Sequence, residues 1–146
     1  MKKLLVIISS LLVAAIVFGV VQTVQISNLK EEQKTLFDNN MTAVAESFRE
    51  FKKSNQERHY EQAMTELYSA AGVSVLLQDE EEYEPLHRVL FSLHTYYLSS
   101  PKKFPFFINR ITNAIEDYNE DGDLEKLTQN LTQIDEELFQ MVWTAE

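Results

Sequence analysis

The sequence predicts an all-α fold: an N-terminal transmembrane helix followed by a four- or five-helix antiparallel bundle. Three observations predict it. Residues Leu4 to Val21 run for 18 positions without a charge. Only three Gly and three Pro punctuate 146 residues, under half of average usage, which argues against turn-rich sandwiches and barrels. Beyond the apolar run, hydrophobic residues recur at alternating spacings of three and four, the period of a buried helix face.

The first element is the run LLVIISSLLVAAIVFGVV, interrupted only by Ser9 and Ser10. At about 1.5 Å per residue it spans roughly 27 Å, close to the hydrocarbon thickness of a bilayer. Lys2 and Lys3 precede it and bias the N-terminus to the cytoplasm, although Lys30 and Lys34 beyond the run weaken the asymmetry. A cleaved signal peptide has a shorter apolar core, of about 7 to 15 residues, and a small-x-small exit. Here the exit, FGVVQTVQIS, offers no such pair. The expectation is an uncleaved single-pass anchor in the cell membrane, with the bulk of the chain extracytoplasmic. Residues 1–22 form the cytoplasmic tip and signal-anchor helix, 23–52 a membrane-proximal helix, and 53–146 the remainder of the bundle.

From Gln22 onward 125 residues remain, 49 of them hydrophobic and 15 aromatic, enough for a packed core and too many for a disordered stalk. Phe37, Met41, Val44, Phe48 and Phe51 mark the first bundle helix, with Ile26 and Leu29 extending its pattern toward the membrane. No Gly or Pro separates Val20 from Phe51, so the anchor helix is expected to continue into the bundle. Lys52 and Lys53 suit a helix C-terminus, and Ser54 to Glu57 (SNQE) reads as a capping box for the next helix.

The second helix follows Tyr60, Met64, Leu67, Ala71 and Val75 and ends in the acidic run Asp79 to Glu84. Pro85 suits a first helical turn, and Leu86, Leu90, Leu93 and Tyr97 carry the third helix to Ser99-Ser100-Pro101. Pro105 opens the fourth, whose face is Ile108, Ile111, Ile115 and Tyr118. Phe104, Phe106 and Phe107 together exceed what one face buries and either fill the bundle end or form an exposed contact patch. Leu124, Leu127, Leu131, Ile134, Leu138 and Met141 define the fifth helix, with Asp123 as its N-cap. Each helix presents one apolar stripe, so antiparallel packing around a single core follows. A heptad period also fits an extended coiled coil, but the turns at 79–85, 99–105 and 119–123 cut it into bundle-length pieces.

The most specific local string is DYNEDGDLEKLT, Asp117 to Thr128, which resembles an EF-hand calcium loop. Asp117, Asn119 and Asp121 fall at relative positions 1, 3 and 5, Gly122 at 6, Asp123 at 7 with its carbonyl, and Glu125 at 9. Oxygen ligands at alternating positions are what a backbone wrapping a calcium ion supplies. The departure is Thr128 where the bidentate Glu of position 12 belongs. The resemblance makes Asp117, Asn119, Asp121, Asp123 and Glu125 metal-site candidates. The competing reading is a helix–helix turn in which Gly122 ends one helix and Asp123 caps the next.

Catalytic chemistry has few carriers. There is no cysteine, which removes disulfides, thiolate metal sites and a thiol nucleophile. His87 and His94 share a helical stripe but lie about 10.5 Å apart along it, too far to ligate one metal. G-x-S-x-G, P-loop and dinucleotide motifs are all missing from the sequence, and no other cofactor is expected. Beyond the anchor 11 basic residues face 23 acidic ones, a net charge of −12, which disfavours nucleic acid and favours a basic protein surface. The function expected is a non-enzymatic binding or assembly subunit for an envelope protein. The alternative is a sensory or ligand-binding bundle, calcium-responsive in one form, that works with a signalling partner. That layout resembles the extracytoplasmic helical modules of membrane receptors, but without their second span and cytoplasmic output domain.

Overall fold

A computed structural model describes the backbone of residues 2–143 and the side chains of residues 15–143. All regular structure among them is helical: α1 (Lys2–Ser54), α2 (Glu57–Leu76), α3 (Tyr83–Ser99), a 3-10 turn (Phe104–Phe107), α4 (Ile108–Asp121) and α5 (Leu124–Trp143). The chain divides into two units, Met1–Glu32 and Gln33–Glu146. The division falls inside α1, ten residues beyond the expected end of the anchor at position 22, because only from Phe37 onward do α1 side chains enter a core.

Within the second unit most of the stripe positions read from the sequence are buried, although Phe51, Val75 and Tyr97 are only partly so, Met141 is exposed, and Val73, Leu77, Tyr83, Val89 and Tyr96 join the core beside them. Phe37, Met41, Val44 and Phe48 of α1 are buried, as are Met64, Leu67 and Ala71 of α2 and Leu86, Leu90 and Leu93 of α3. Ile108, Ile111, Ile115 and Tyr118 of α4 join Leu124, Leu127, Leu131, Ile134 and Leu138 of α5. Each aliphatic or aromatic side chain so removed from water contributes about 1.5–3 kcal/mol.

Aromatic contacts set the helix order. Phe37 meets Tyr83 edge-on at 5.5 Å and Tyr118 at 6.2 Å, which places the start of α3 and the end of α4 at one end of the bundle. At the other end Tyr60 lies 5.2 Å from Phe51, 5.4 Å from Tyr97 and 6.4 Å from Phe104. Here α1 and α3 finish, α2 begins, and the 3-10 turn leads into α4. Consecutive helices are therefore antiparallel, and α5 packs against both α3 and α4.

Three turns show how sequence sets the helix limits. Gly122 closes α4 at φ +70°, a left-handed conformation that costs a side-chain-bearing residue about 1–2 kcal/mol, and Asp123 Oδ1 accepts from the Lys126 N–H at 2.9 Å as the expected N-cap of α5. Pro85 lies in the first turn of α3. The capping box at Ser54 does not form. Helix α1 runs through Ser54, whose Oγ donates to the Glu50 carbonyl at 2.7 Å, and Asn55 makes the reversal at φ 53°. Asn tolerates this conformation better than most residues, so the chain turns one residue later than a capping serine requires.

Among the described residues no helix is long and apolar enough to cross a membrane. The expected span at 4–21 falls, for residues 4–14, outside the side chains described.

Candidate functional site

The loop that resembles a calcium site is built as a helix end and a helix start. Asp117, Asn119 and Asp121 all belong to α4. A helix turns 100° per residue, so alternate positions point in different directions and do not converge as they do in a wrapped loop. Asp117 and Asp121, one turn apart, share a face, and the Lys126 ammonium sits against both at 3.3 and 3.1 Å. Asp121 Oδ1 also accepts the Asp123 backbone N–H at 2.9 Å. That bond and Lys126 hold the Asp121 carboxyl below its ordinary range, while the two carboxylates push Lys126 up. Asp123 spends its carboxylate on the α5 cap, and Glu125 Oε1 accepts from Gln129 at 3.0 Å. Among the described residues no group of three or more potential ligands is gathered as a metal site. The geometry is that of the helix–helix turn.

The histidines are likewise engaged with the packing. His87 Nδ1 lies 3.3 Å from the Ala71 carbonyl, and its ring meets Phe91 at 5.0 Å. His94 stacks on Tyr68 at 4.6 Å, and burial lowers its pKa. The two rings thus stand along a seam between α2 and α3.

One polar recess was not visible in the sequence. Tyr96, Asp135, Glu136, Phe139 and Gln140 line a shallow hollow of about 270 Å³ between α3 and α5. Asp135 Oδ1 is buried there without a hydrogen-bond partner, and burial raises the carboxyl pKa against the opposing hydrogen bond from Ser92. The lining holds two carboxylates, Asp135 and Glu136, and the Tyr96 phenol but no histidine or lysine, so the hollow offers carboxylate oxygens, one of them unsatisfied. Asp135 sits between core positions Ile134 and Leu138. Periodicity places it at the edge of the apolar stripe, but only tertiary packing decides whether such an edge residue is covered.

The other functional candidates are surfaces. In the first unit Ile16, Val17, Phe18, Val20, Val21, Val24, Ile26 and Leu29 are all exposed. In the bundle, Phe104 and Phe107 are buried while Phe106 projects into solvent. The end-filling and contact-patch readings of this Phe cluster therefore each describe part of it. Leu98, Phe139, Met141 and Trp143 are exposed as well. No protein-family model, no curated protein and no solved structure matches this chain.

Proposed function

We propose that the chain is a membrane-anchored, extracytoplasmic helical bundle that acts as a non-enzymatic binding or assembly subunit for an envelope protein. One observation carries the reading: eight large apolar side chains between Ile16 and Leu29 stand bare on a single helix, next in sequence to a bundle that buries its own stripes. Large apolar side chains left bare on a helix are stable in hydrocarbon and unfavourable in water. They continue the uncharged run that starts at Leu4, and together the two make a segment of spanning length. Lys2 and Lys3 favour a cytoplasmic start.

For the bundle, binding is favoured over catalysis because its polar groups are spent on structure. Asp117, Asp121 and Asp123 serve a turn, His87 and His94 pack in a seam, and the recess at Asp135 adds only the Glu136 carboxylate and the Tyr96 phenol, with no histidine or lysine beside them. The acidic run Asp79 to Glu84 gives one bundle end a dense negative surface, which a basic protein face complements.

The test is cross-linking in intact cells that express the tagged full chain, followed by purification in mild detergent. The reading predicts one stoichiometric envelope protein, lost when Asp79, Glu81 and Glu82 are changed to Lys. Recovery of the chain alone, monomeric and stable, would transfer the weight to ligand sensing.

A further inference from the structure

The net charge of the bundle conceals an uneven distribution. No Asp or Glu lies between Glu84 and Glu116, a stretch that carries Arg88, Lys102, Lys103 and Arg110. The fold brings the middle of this acid-free stretch to one end of the bundle. Phe51, Tyr60, Tyr97 and Phe104 meet there, so Lys52 and Lys53 at the end of α1, Arg58 in the first turn of α2, and Lys102, each within a few residues of one of these rings, are brought to the same end. Lys103 Nζ donates to the Met141 carbonyl at 2.6 Å and ties the last turn of α5 to this end. Glu50 is paired with Lys53 at 2.8 Å, and Glu57 opens α2. Glu61 lies beside Tyr60, Glu137 pairs with Arg110, and Glu116 reaches Arg49 at 2.6 Å; Lys52, Arg58, Lys102 and Lys103 leave the balance at this end basic, whereas Asp79 to Glu84 and Asp117 to Glu125 lie at the other.

Apolar side chains project from the same basic end. Phe106 is 76% exposed, Leu98 66% and Trp143 63%, with Phe139 and Met141 beside them on α5. Phe106, Leu98 and Trp143 come from the ends of three separate segments and protrude, whereas Phe139 lines the hollow beside Asp135 and Glu136. Exposed aromatics among lysines combine the two attractions of a membrane interface: rings that settle at headgroup depth and cations that meet lipid phosphates.

We propose that this end of the bundle docks on an anionic lipid surface. Lys52, Arg58 and Lys102 face the headgroup phosphates, and Phe106, Trp143 and Leu98 enter the interfacial layer. An acidic protein has the same charge complementarity, but a protruding apolar set fits a fluid interface better than a second rigid surface. The proposal does not rest on the anchor, since every residue it uses lies between 33 and 146.

Trp143 is the only tryptophan in the chain, so its emission reports this end alone. The full chain is held in phosphatidylcholine nanodiscs, which satisfy the apolar run, and mixed with phosphatidylglycerol vesicles, phosphatidylcholine vesicles or polyglutamate. The proposal predicts a blue shift with phosphatidylglycerol only, reversed by salt. Each of Lys52→Glu and Lys102→Glu is expected to weaken binding by about fivefold or more. Phe106→Ser, at a position that contributes nothing to the core, should remove most of the affinity. Equal shifts with neutral and anionic vesicles, or affinities unchanged in these variants, would overturn it. So would a shift with polyglutamate and none with anionic vesicles, which would assign the surface to an acidic protein partner.

Discussion

Asp123 and Gly122 each answer a backbone requirement of the α4–α5 turn, and their costs follow from local geometry. Asp123→Ala removes the acceptor of the Lys126 N–H and is expected to destabilise the bundle by about 1 kcal/mol. Gly122→Ala, strained at φ +70°, is expected to cost about 1–2 kcal/mol. Thermal unfolding of the two variants beside the parent chain checks both figures. Asp135 works in the opposite sense. Its carboxyl is pushed up by burial and has an unsatisfied oxygen, so the folded state holds its proton more tightly than the unfolded state does. The stability this group contributes is fully present below its unfolded pKa and is lost as pH rises through the folded value. Asp135→Asn should therefore raise the melting temperature at pH 7, with the gain vanishing below about pH 4. A variant less stable than the parent at pH 7 would show that the hydrogen bond from Ser92 outweighs the burial of the charge. At this scale the cap and the glycine were legible because both are local chemistry. Asp135 was not, because the groups beside it, Tyr96 and Ser92, belong to another helix.

The 3-10 turn shows what periodicity conveys about an element and where it stops. Three phenylalanines in four residues signalled an anomaly, but the turn puts Phe104 and Phe107 on the core side, three residues apart, and leaves Phe106 outside. Phe104→Ala is expected to cost about 3–5 kcal/mol, and Phe106→Ala to stay within about 0.5 kcal/mol. Denaturant unfolding separates them, and similar losses at both positions would mean that Phe106 is covered in solution. The five stripes themselves were readable, since 3-4 spacing is fixed by helix geometry. Their ends were less so. Met141 continues the α5 spacing but is exposed, and Val142 beside it packs against the core in its place. The Ser54 capping signature was overridden by continuation of α1 and the left-handed Asn55. The acidic turn was ambiguous because turn-forming and calcium-binding residues are the same types. With Lys126 already between Asp117 and Asp121, added calcium should leave the melting temperature unchanged. A rise with calcium, and none with magnesium, would restore Asp117, Asn119, Asp121, Asp123 and Glu125 as ligands.

For the whole molecule, the sequence separates an uncharged N-terminal run from a periodic, acidic remainder, while the structure divides the chain at Glu32 and Gln33, inside the membrane-proximal helix expected over 23–52. Composition gave the sign of the net charge but not its arrangement, since the acid-free stretch gains meaning only when folding gathers its lysines with those of α1. The central claim, an anchored bundle outside the cytoplasm, has a direct test because the chain contains no cysteine. Ser69 is exposed on α2, so Ser69→Cys introduces a single thiol without disturbing the core. Intact cells expressing this variant would be treated with a membrane-impermeant maleimide and then fractionated. The account predicts full labelling from outside, with all labelled chain in membranes and resistant to alkaline extraction. A thiol that reacts only after the cells are lysed, or a chain released by alkali, would contradict it.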